Sequence, residues 1–162
     1  MRLLPLGVGD LARVAHIRVS EAQAVYSGQV SEAFERAEAD VDFHAIEQDG
    51  ALVGFFKIDR AYQDRFGLGR AGEIGLRGFL IDRAHQGRGL AQAALAVMPA
   101  YLRGLYPQAT ALLLTVNTSN VAARACYDKA GFVPTGETRP EGRRGAGTQH
   151  VLRLALRTPD GA

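Results

Sequence analysis

A run of apolar residues, a loop with two glycines and a helix-forming segment follow one another in the middle of the chain. Residues 79–81 are typical of the end of a buried strand, and an Ala- and Leu-rich segment begins after Gly89. Gly87 and Gly89 tolerate positive φ and let bare backbone approach a ligand, while the new helix presents unpaired N–H groups at the same place. Its dipole adds about 0.3–1 kcal/mol for an exposed anion. The order of strand, glycine loop and helix therefore predicts a phosphate site.

A second pattern decides between two interpretations of the glycine pair. An isolated Gly-x-Gly before a helix often does no more than turn the chain. Further on, however, Asn120, Ala123 and Tyr127 are spaced by three and four residues, which places them on one helical face. Gly131 then ends that helix, and Phe132 opens a strand. The two motifs in this order favour a binding site over a simple turn.

With these two motifs the chain resembles the GNAT superfamily of acyl-CoA-dependent N-acetyltransferases. Residues 86–91, Gln-Gly-Arg-Gly-Leu-Ala, match that family's Gln/Arg-x-x-Gly-x-Gly/Ala pyrophosphate loop, and residues 120–132 match its second motif. The resemblance is good over residues 70–135 and looser elsewhere. It implies an α/β fold in which a central mixed, mostly antiparallel sheet of about seven strands is flanked by helices, as a single domain over residues 1–162. It also implies acetyl-CoA (coenzyme A) as the cofactor.

Composition limits the other classes of protein. The 162 residues suit one domain with its own core, and the 47% of apolar residues argues against disorder. A net charge of +2 does not mark a nucleic-acid binder, and no apolar run approaches the roughly 18 residues of a membrane span. Cys126 is the single cysteine, which favours a reducing compartment. We expect a soluble cytoplasmic protein without nucleic-acid or membrane partners, and leave open whether it forms a homodimer.

Hydrophobic periodicity and turn residues predict seven strands and four helices. Asp49-Gly50 predicts a tight hairpin between the second and third strands. Pro99 predicts a kink or a restart in the long helix, and Thr118 or Ser119 is the expected cap of the last helix. The predicted strands cover residues 2–6, 41–48, 51–58, 73–81, 111–116, 132–137 and 148–157, and the predicted helices follow Asp10, cover residues 31–39, follow Gly89 and follow Ser119.

The resemblance also assigns the cofactor-binding residues. In the family the central strand, here residues 73–81, splays from its successor, and the pantetheine arm hydrogen-bonds to the exposed backbone. Gly75 and Gly78 fit this because interior glycines mark bulges or close backbone approach. For Asn120, a plain capping role is the alternative. No spacing of His, Cys or carboxylates predicts a metal site. The implied cofactor-binding residues are Phe79, Leu80, Ile81, Gln86, Gly87, Arg88, Gly89, Leu90, Ala91, Gln92 and Asn120.

Attack of a neutral amine on a thioester needs an acid for the leaving thiolate and a base for the amine's proton. Tyr127 is the candidate acid, because a phenol of pKa about 10 can donate to a thiolate of pKa about 8.5; the alternative is an aromatic that anchors its helix. The ribosomal-protein branch of the family has a glutamate where this chain has Thr115. Glu73 is therefore the candidate base, with a surface charge as the alternative. His44 and His150 are weaker candidates.

An acidic stripe is the only hint about the acceptor. Glu32, Glu35 and Glu38 follow a spacing of three on a predicted helix, which in the resembled family borders the acceptor entrance. A solvated helix face is the alternative. The predicted function is acetyl transfer from acetyl-CoA to a primary amine, either a small cationic amine, polyamine-like or antibiotic-like, or a peptide or protein amine. The alternative from another class is a non-catalytic acyl-CoA sensor or partner-binding domain.

Overall fold

Seven strands pair into one mixed sheet in the order β1-β2-β3-β4-β5-β7-β6. A computed structural model describes residues 1–140 and 147–157. Every neighbouring pair is antiparallel except β4 and β5, which confirms the predicted mixed, mostly antiparallel sheet flanked by helices. The strands are β1 (Arg2–Leu6), β2 (Val41–Gln48), β3 (Ala51–Asp59), β4 (Glu73–Ile81), β5 (Ala111–Asn117), β6 (Val133–Arg139) and β7 (Gln149–Ala155). The α-helices are α1 (Leu11–Val14), α2 (Glu21–Ser27), α3 (Val30–Glu35), α4 (Tyr62–Phe66), α5 (Leu90–Leu105) and α6 (Val121–Lys129).

Both faces of the sheet are buried. Phe55 and Phe56 are neighbours on β3, so their side chains point to opposite faces, and each is at most 1% exposed. Phe56 belongs to the cluster that packs under α5, together with Leu95 and Met98. Phe55 belongs to the other cluster, which packs under α1 and α3. The two clusters fix the sheet from both sides and hold its strands in place where hydrogen bonding between them is missing.

The hairpin between β2 and β3 forms as predicted. Asp49 and Gly50 have φ values of 53° and 81°, which is the backbone of a type I′ turn. The turn matches the right-handed twist of the strands that it joins. It places β2 between β3 and the edge strand β1, as expected for an N-terminal strand near a sheet edge.

A long break separates β4 from β5. Their parallel pairing is limited to residues 73–75 of β4 and 111–113 of β5, although both strands continue beyond these residues. On the other side of β4, the register with β3 shifts by one residue beside Phe56. Gly78 lies in this bulge with a φ of 60°, as the interior glycine predicts. The central strand thus bends away from its successor and leaves a gap in the sheet.

Three sequence expectations about the helices are corrected. The long helix has no restart at Pro99, because α5 runs unbroken for 16 residues around that proline. Leu95 and Leu102, both buried on either side of it, anchor the two halves to the sheet. The helix predicted over residues 31–39 ends at Glu35, so Glu38 lies outside it and the three glutamates form no single stripe. The last helix is capped by Asn120 rather than by residue 118 or 119.

Two further properties concern only residues 1–140 and 147–157. No helix among them is both long and apolar enough to cross a membrane. No group of three or more His, Cys, Asp or Glu side chains among them is arranged to hold a metal ion. In the basic stretch of residues 139–144, residues 141–144 lie outside the described residues.

The contact between Gly75 and Tyr62 provides a test of the packing at the start of the break. A Cβ at Gly75 would overlap the buried Tyr62 ring, so we expect Gly75→Ala to lower the free energy of unfolding by about 1–3 kcal/mol. Gly104 lies near the exposed end of α5, where a Cβ meets nothing within 4 Å. Gly104→Ala is the matched control and should stabilise by about 0.5–1 kcal/mol. Urea denaturation measures both, and equal effects would contradict the packing described.

Candidate active site

A cavity of about 770 Å³ occupies the gap between β4 and β5. Its walls come from the second half of β4, the end of β5, the start of α5, one face of α6 and the facing side of α2. Because β4 and β5 do not pair here, backbone groups on the facing edges of both strands have no partner in the neighbouring strand. A ligand in this gap would find main-chain donors and acceptors on both sides.

The glycine loop forms one end of the cavity. Gly87 and Gly89 have φ values of 79° and 72°, and a Cβ built on either would meet nothing within 4 Å. The first helical hydrogen bond of α5 runs from the Ala93 N–H to the Gly89 carbonyl, which leaves the preceding N–H groups of the first turn without a helical acceptor. The loop therefore has both the bare backbone and the open donors that a diphosphate requires. The residues of this loop fit the diphosphate of coenzyme A.

The structure brings nearly all of the predicted cofactor-binding residues together. Arg88 is the exception, because it is exposed and does not line the cavity. Gln86 lines it, but its side chain also holds the loop: Nε2 donates to the Ile81 carbonyl at 2.9 Å and to Oε1 of Gln23 in α2 at 3.1 Å. The predicted residues that line the cavity are Phe79, Leu80, Ile81, Gln86, Gly87, Gly89, Leu90, Ala91, Gln92 and Asn120.

The second motif supplies the opposite wall. The Asn120 side chain caps α6 by accepting from the Ala123 N–H at 3.4 Å, so the capping alternative holds while the residue also faces the cavity. Tyr127, two turns further on, lies half-buried between the rings of Phe79 and Phe132, with centroid distances of 6.4 and 5.5 Å. Burial raises the pKa of Tyr127 above its usual value, so the phenol keeps its proton at neutral pH. Tyr127, with its phenol protonated, thus lines the same cavity as the glycine loop.

Comparison with known proteins identifies the family. The model of the acetyltransferase (GNAT) family matches residues 11–132, three quarters of the chain. The chain belongs to the GNAT family. The match includes both motifs and the two strands, β4 and β5, that border the gap.

Individual relatives of this GNAT chain are distant. The uncharacterized N-acetyltransferase YbbJ of Bacillus subtilis (strain 168) is 34% identical over 59 residues, which is 36% of this chain and 37% of that protein. Aminoglycoside acetyltransferase AAC(6')-Ib in complex with coenzyme A has a TM-score of 0.74 at 20% identity, covering 94% of this chain and 93% of that one. Spermidine N-acetyltransferase from Vibrio cholerae has 0.72 at 16% identity, covering 96% and 95%. At these identities the structures establish a shared fold.

Glu73 does not reach the cavity of this GNAT protein. Its carboxylate is buried at the start of β4, where Arg153 of β7 donates to both oxygens and the Arg70 N–H donates to Oε1. With both oxygens engaged and no place in the cavity wall, the carboxylate ties β4 to β7. The sequence assignment of Glu73 as the general base has no support in this geometry, and Glu73 drops out of the proposed chemistry.

The two weaker histidine candidates also lie outside the cavity wall. His44 is buried and hydrogen-bonds the hydroxyls of Tyr101 at 2.6 Å and Tyr106 at 3.0 Å, which links β2 to α5. Burial lowers the pKa of His44 to about 4, so the ring is neutral at physiological pH. His150 pairs with Val116 of β5 in the sheet register. Both histidines therefore belong to the scaffold.

Several lining residues escaped the sequence analysis because they come from elements far apart in the chain. Tyr26 of α2 reaches across to Ser119, with 2.8 Å between the two hydroxyl oxygens, and this bridge closes one side of the cavity. Tyr62 of α4 contributes a buried phenol, whose pKa burial raises to about 12. No local motif marks these positions. Further examples are Lys57, Phe66, Arg77, Arg139 and Gln149.

Replacement of Glu73 separates a structural carboxylate from a general base. We expect Glu73→Gln to lower the free energy of unfolding by on the order of 3 kcal/mol, because it breaks a buried ion pair. The kcat of the folded variant should stay within about twofold of the wild type, because the side chain does not line the cavity. Arg153→Met is the matched control, since it removes the same pair from the other side. A kcat loss confined to Glu73→Gln, at unchanged stability, would restore Glu73 as the base.

Proposed function

We propose that this GNAT chain is an acetyl-CoA-dependent N-acetyltransferase that acetylates a primary amine of a small molecule or a protein. One observation carries the proposal: the glycine loop, the gap between β4 and β5, and Tyr127 all line a single cavity. The single cysteine fits a cytoplasmic setting.

The chain's own groups would hold the cofactor at three places. The backbone at Gly87 and Gly89, together with the open N–H groups of the first turn of α5, would take the diphosphate. The edge of β4 beyond the bulge would pair with the pantetheine amides like an added strand, because β5 does not pair with β4 there. When bound, acetyl-CoA supplies an acetyl group on a thioester.

Two features of the cavity suit acyl transfer. Backbone N–H groups around Phe79 and Leu80, at the bulge of β4, are donors fixed in place before any substrate arrives, which is the arrangement that stabilises a developing oxyanion. The Tyr127 hydroxyl holds its proton and can donate it to a departing thiolate. Both lie on walls of the same gap.

Removal of the amine's proton is the step for which the cavity offers no carboxylate. Among the described residues of its lining, none is an aspartate or a glutamate. A lysine-like amine of pKa about 10.4 must lose its proton at a cost of about 4–5 kcal/mol at pH 7, whereas an α-amino group of pKa about 8 needs only about 1 kcal/mol. A weakly basic amine therefore fits this cavity better than a polyamine does.

The same observation favours one alternative, a non-catalytic acyl-CoA sensor that keeps the fold. The names of the similar structures do not decide between acceptors, because they include enzymes for aminoglycosides, for spermidine and for a ribosomal-protein alanine. Release of free thiol from acetyl-CoA across an amine panel separates enzyme from sensor. Saturable cofactor binding without turnover on any amine would support the sensor.

The Tyr127 hydroxyl is tested by its removal. We expect Tyr127→Phe to lower kcat about 100-fold or more, since general acids contribute factors of that order, and to leave the Kd for coenzyme A within about twofold. A thiol-release assay measures kcat, and isothermal titration calorimetry measures the Kd for coenzyme A. Tyr101→Phe removes a phenol outside the cavity wall and should leave kcat unchanged. Wild-type turnover in Tyr127→Phe would remove the phenol from the mechanism.

A further inference from the structure

The part of the cavity around α4 carries positive charge. Arg77 and Arg139 line it, Lys57 lines the cavity beside Gly78, and no aspartate or glutamate is among the described lining residues. The guanidinium carbons of Arg77 and Arg139 lie 5.1 and 4.6 Å from the centre of the Phe66 ring, so the two arginines meet at one aromatic side chain. The glycine loop that suits the diphosphate follows the far end of β4 instead. These cations therefore face a part of the cavity that the diphosphate would not occupy.

The carboxylates near Arg77 already form ion pairs with arginine side chains. Asp59 and Glu38 are each bound by both Arg65 and Arg77, with distances of 2.7 and 3.1 Å from the two arginines to Asp59. Glu38 lines a smaller neighbouring pocket of about 320 Å³, in which Arg36 also takes part. Glu32 and Glu38, two of the three glutamates that the sequence placed at the acceptor entrance, thus line this mixed pocket, and none of the three lines the main cavity.

Resting on the proposed function, we infer that the acceptor carries a carboxylate beside its primary amine, as an amino acid does, and that Arg139 binds this carboxylate. An arginine binds a carboxylate in a directional, charge-assisted way, and a positive wall disfavours the protonated form of an amine nearby. The second effect lowers the amine's pKa and favours the neutral nucleophile. The same positive charge would thus bind the carboxylate and activate the amine. The described lining of the cavity has no aspartate or glutamate that could act as a general base.

Gln149 offers a hydrogen-bond acceptor to the amine of the substrate. In the sheet register it lies directly between Asn117 of β5 and Arg139 of β6, and it lines the cavity. Its Oε1 is buried and has no hydrogen-bond partner among the described residues. A buried acceptor of this kind gains from a donor brought by a ligand, and an amine N–H is such a donor. Arg139 and Gln149 are adjacent, as the carboxylate and the amine of one small molecule are.

The test uses matched trios of acceptors: an amino acid, its carboxamide and the amine that lacks the carboxyl group, over aliphatic, aromatic and polar side chains, with spermidine as the polycation. Thiol release from acetyl-CoA gives kcat/KM for each. We expect the best amino acid to exceed its carboxamide and amine by about tenfold or more, a difference that one charge-assisted contact supplies. The carboxamide has the less basic amine, so ease of deprotonation would not explain this order.

Variants connect the preference to Arg139. We expect Arg139→Gln to raise KM for the amino acid by on the order of 10- to 100-fold and to leave KM for the carboxamide within about twofold. Arg139→Lys should recover part of the loss. Arg103→Gln removes an exposed arginine of α5 outside the cavity wall and should change neither value. Calorimetry with coenzyme A and the thermal midpoint show whether each variant is folded and loaded.

The outcomes are distinct. Preference for the amino acid that disappears in Arg139→Gln supports the inference. Equal or better turnover of carboxamides, simple amines or spermidine overturns it and leaves the proposed acetyltransferase standing. Binding of coenzyme A without acetylation of any amine overturns both.

Discussion

The loss of strand pairing between β4 and β5 after residues 75 and 113 is the constraint on which the rest of this structure depends. A gap in a buried sheet leaves backbone groups unpaired, and such groups cost free energy unless something else bonds them. The two clusters that pack on opposite faces of the sheet keep the gap open, because α5 holds one face and α1 and α3 hold the other. Both the cofactor cavity and the proposed chemistry follow from this opening.

The two ends of the cavity are built from different kinds of sequence segment. The glycine loop, the start of α5 and the motif on α6 are each built within a short stretch of chain and act mainly through backbone groups. The end near α4 is built from side chains of β3, β4, β6 and β7. Backbone chemistry suits a part shared across a family, whereas side chains from many strands can change one at a time. The sequence motifs therefore mark the glycine-loop end of the cavity and not the end near α4.

That difference explains what the sequence could predict. The sheet, the hairpin at Asp49 and the positive φ values of Gly87 and Gly89 followed from local patterns, because glycine conformation and helix periodicity are local properties. Glu73 has no place in the cavity wall and pairs with Arg153, which is 80 residues away and which spacing cannot reveal. The predicted acidic stripe does not form because α3 ends at Glu35, and Arg65 and Arg77 bind Glu38 from other elements. Charges whose partners are distant in sequence cannot be assigned from spacing alone.

A general division of charge emerges from these ion pairs. Buried carboxylates serve the scaffold: Asp59 joins β3 to α4, and Glu73 joins β4 to β7. In the described part of the cavity wall the charged side chains are basic, apart from a histidine. The chain has 19 lysines and arginines against 17 acidic residues, so this asymmetry comes from placement rather than from composition.

Titration of the ¹⁵N-labelled protein with coenzyme A, followed by backbone amide NMR, tests the central claim most directly. We expect saturable shifts of the amides of residues 79–81 and 87–92 and of the start of α6, with little change in the β1–β2 edge of the sheet. Saturable binding that leaves the amides of the gap unchanged and shifts those of another surface would contradict it.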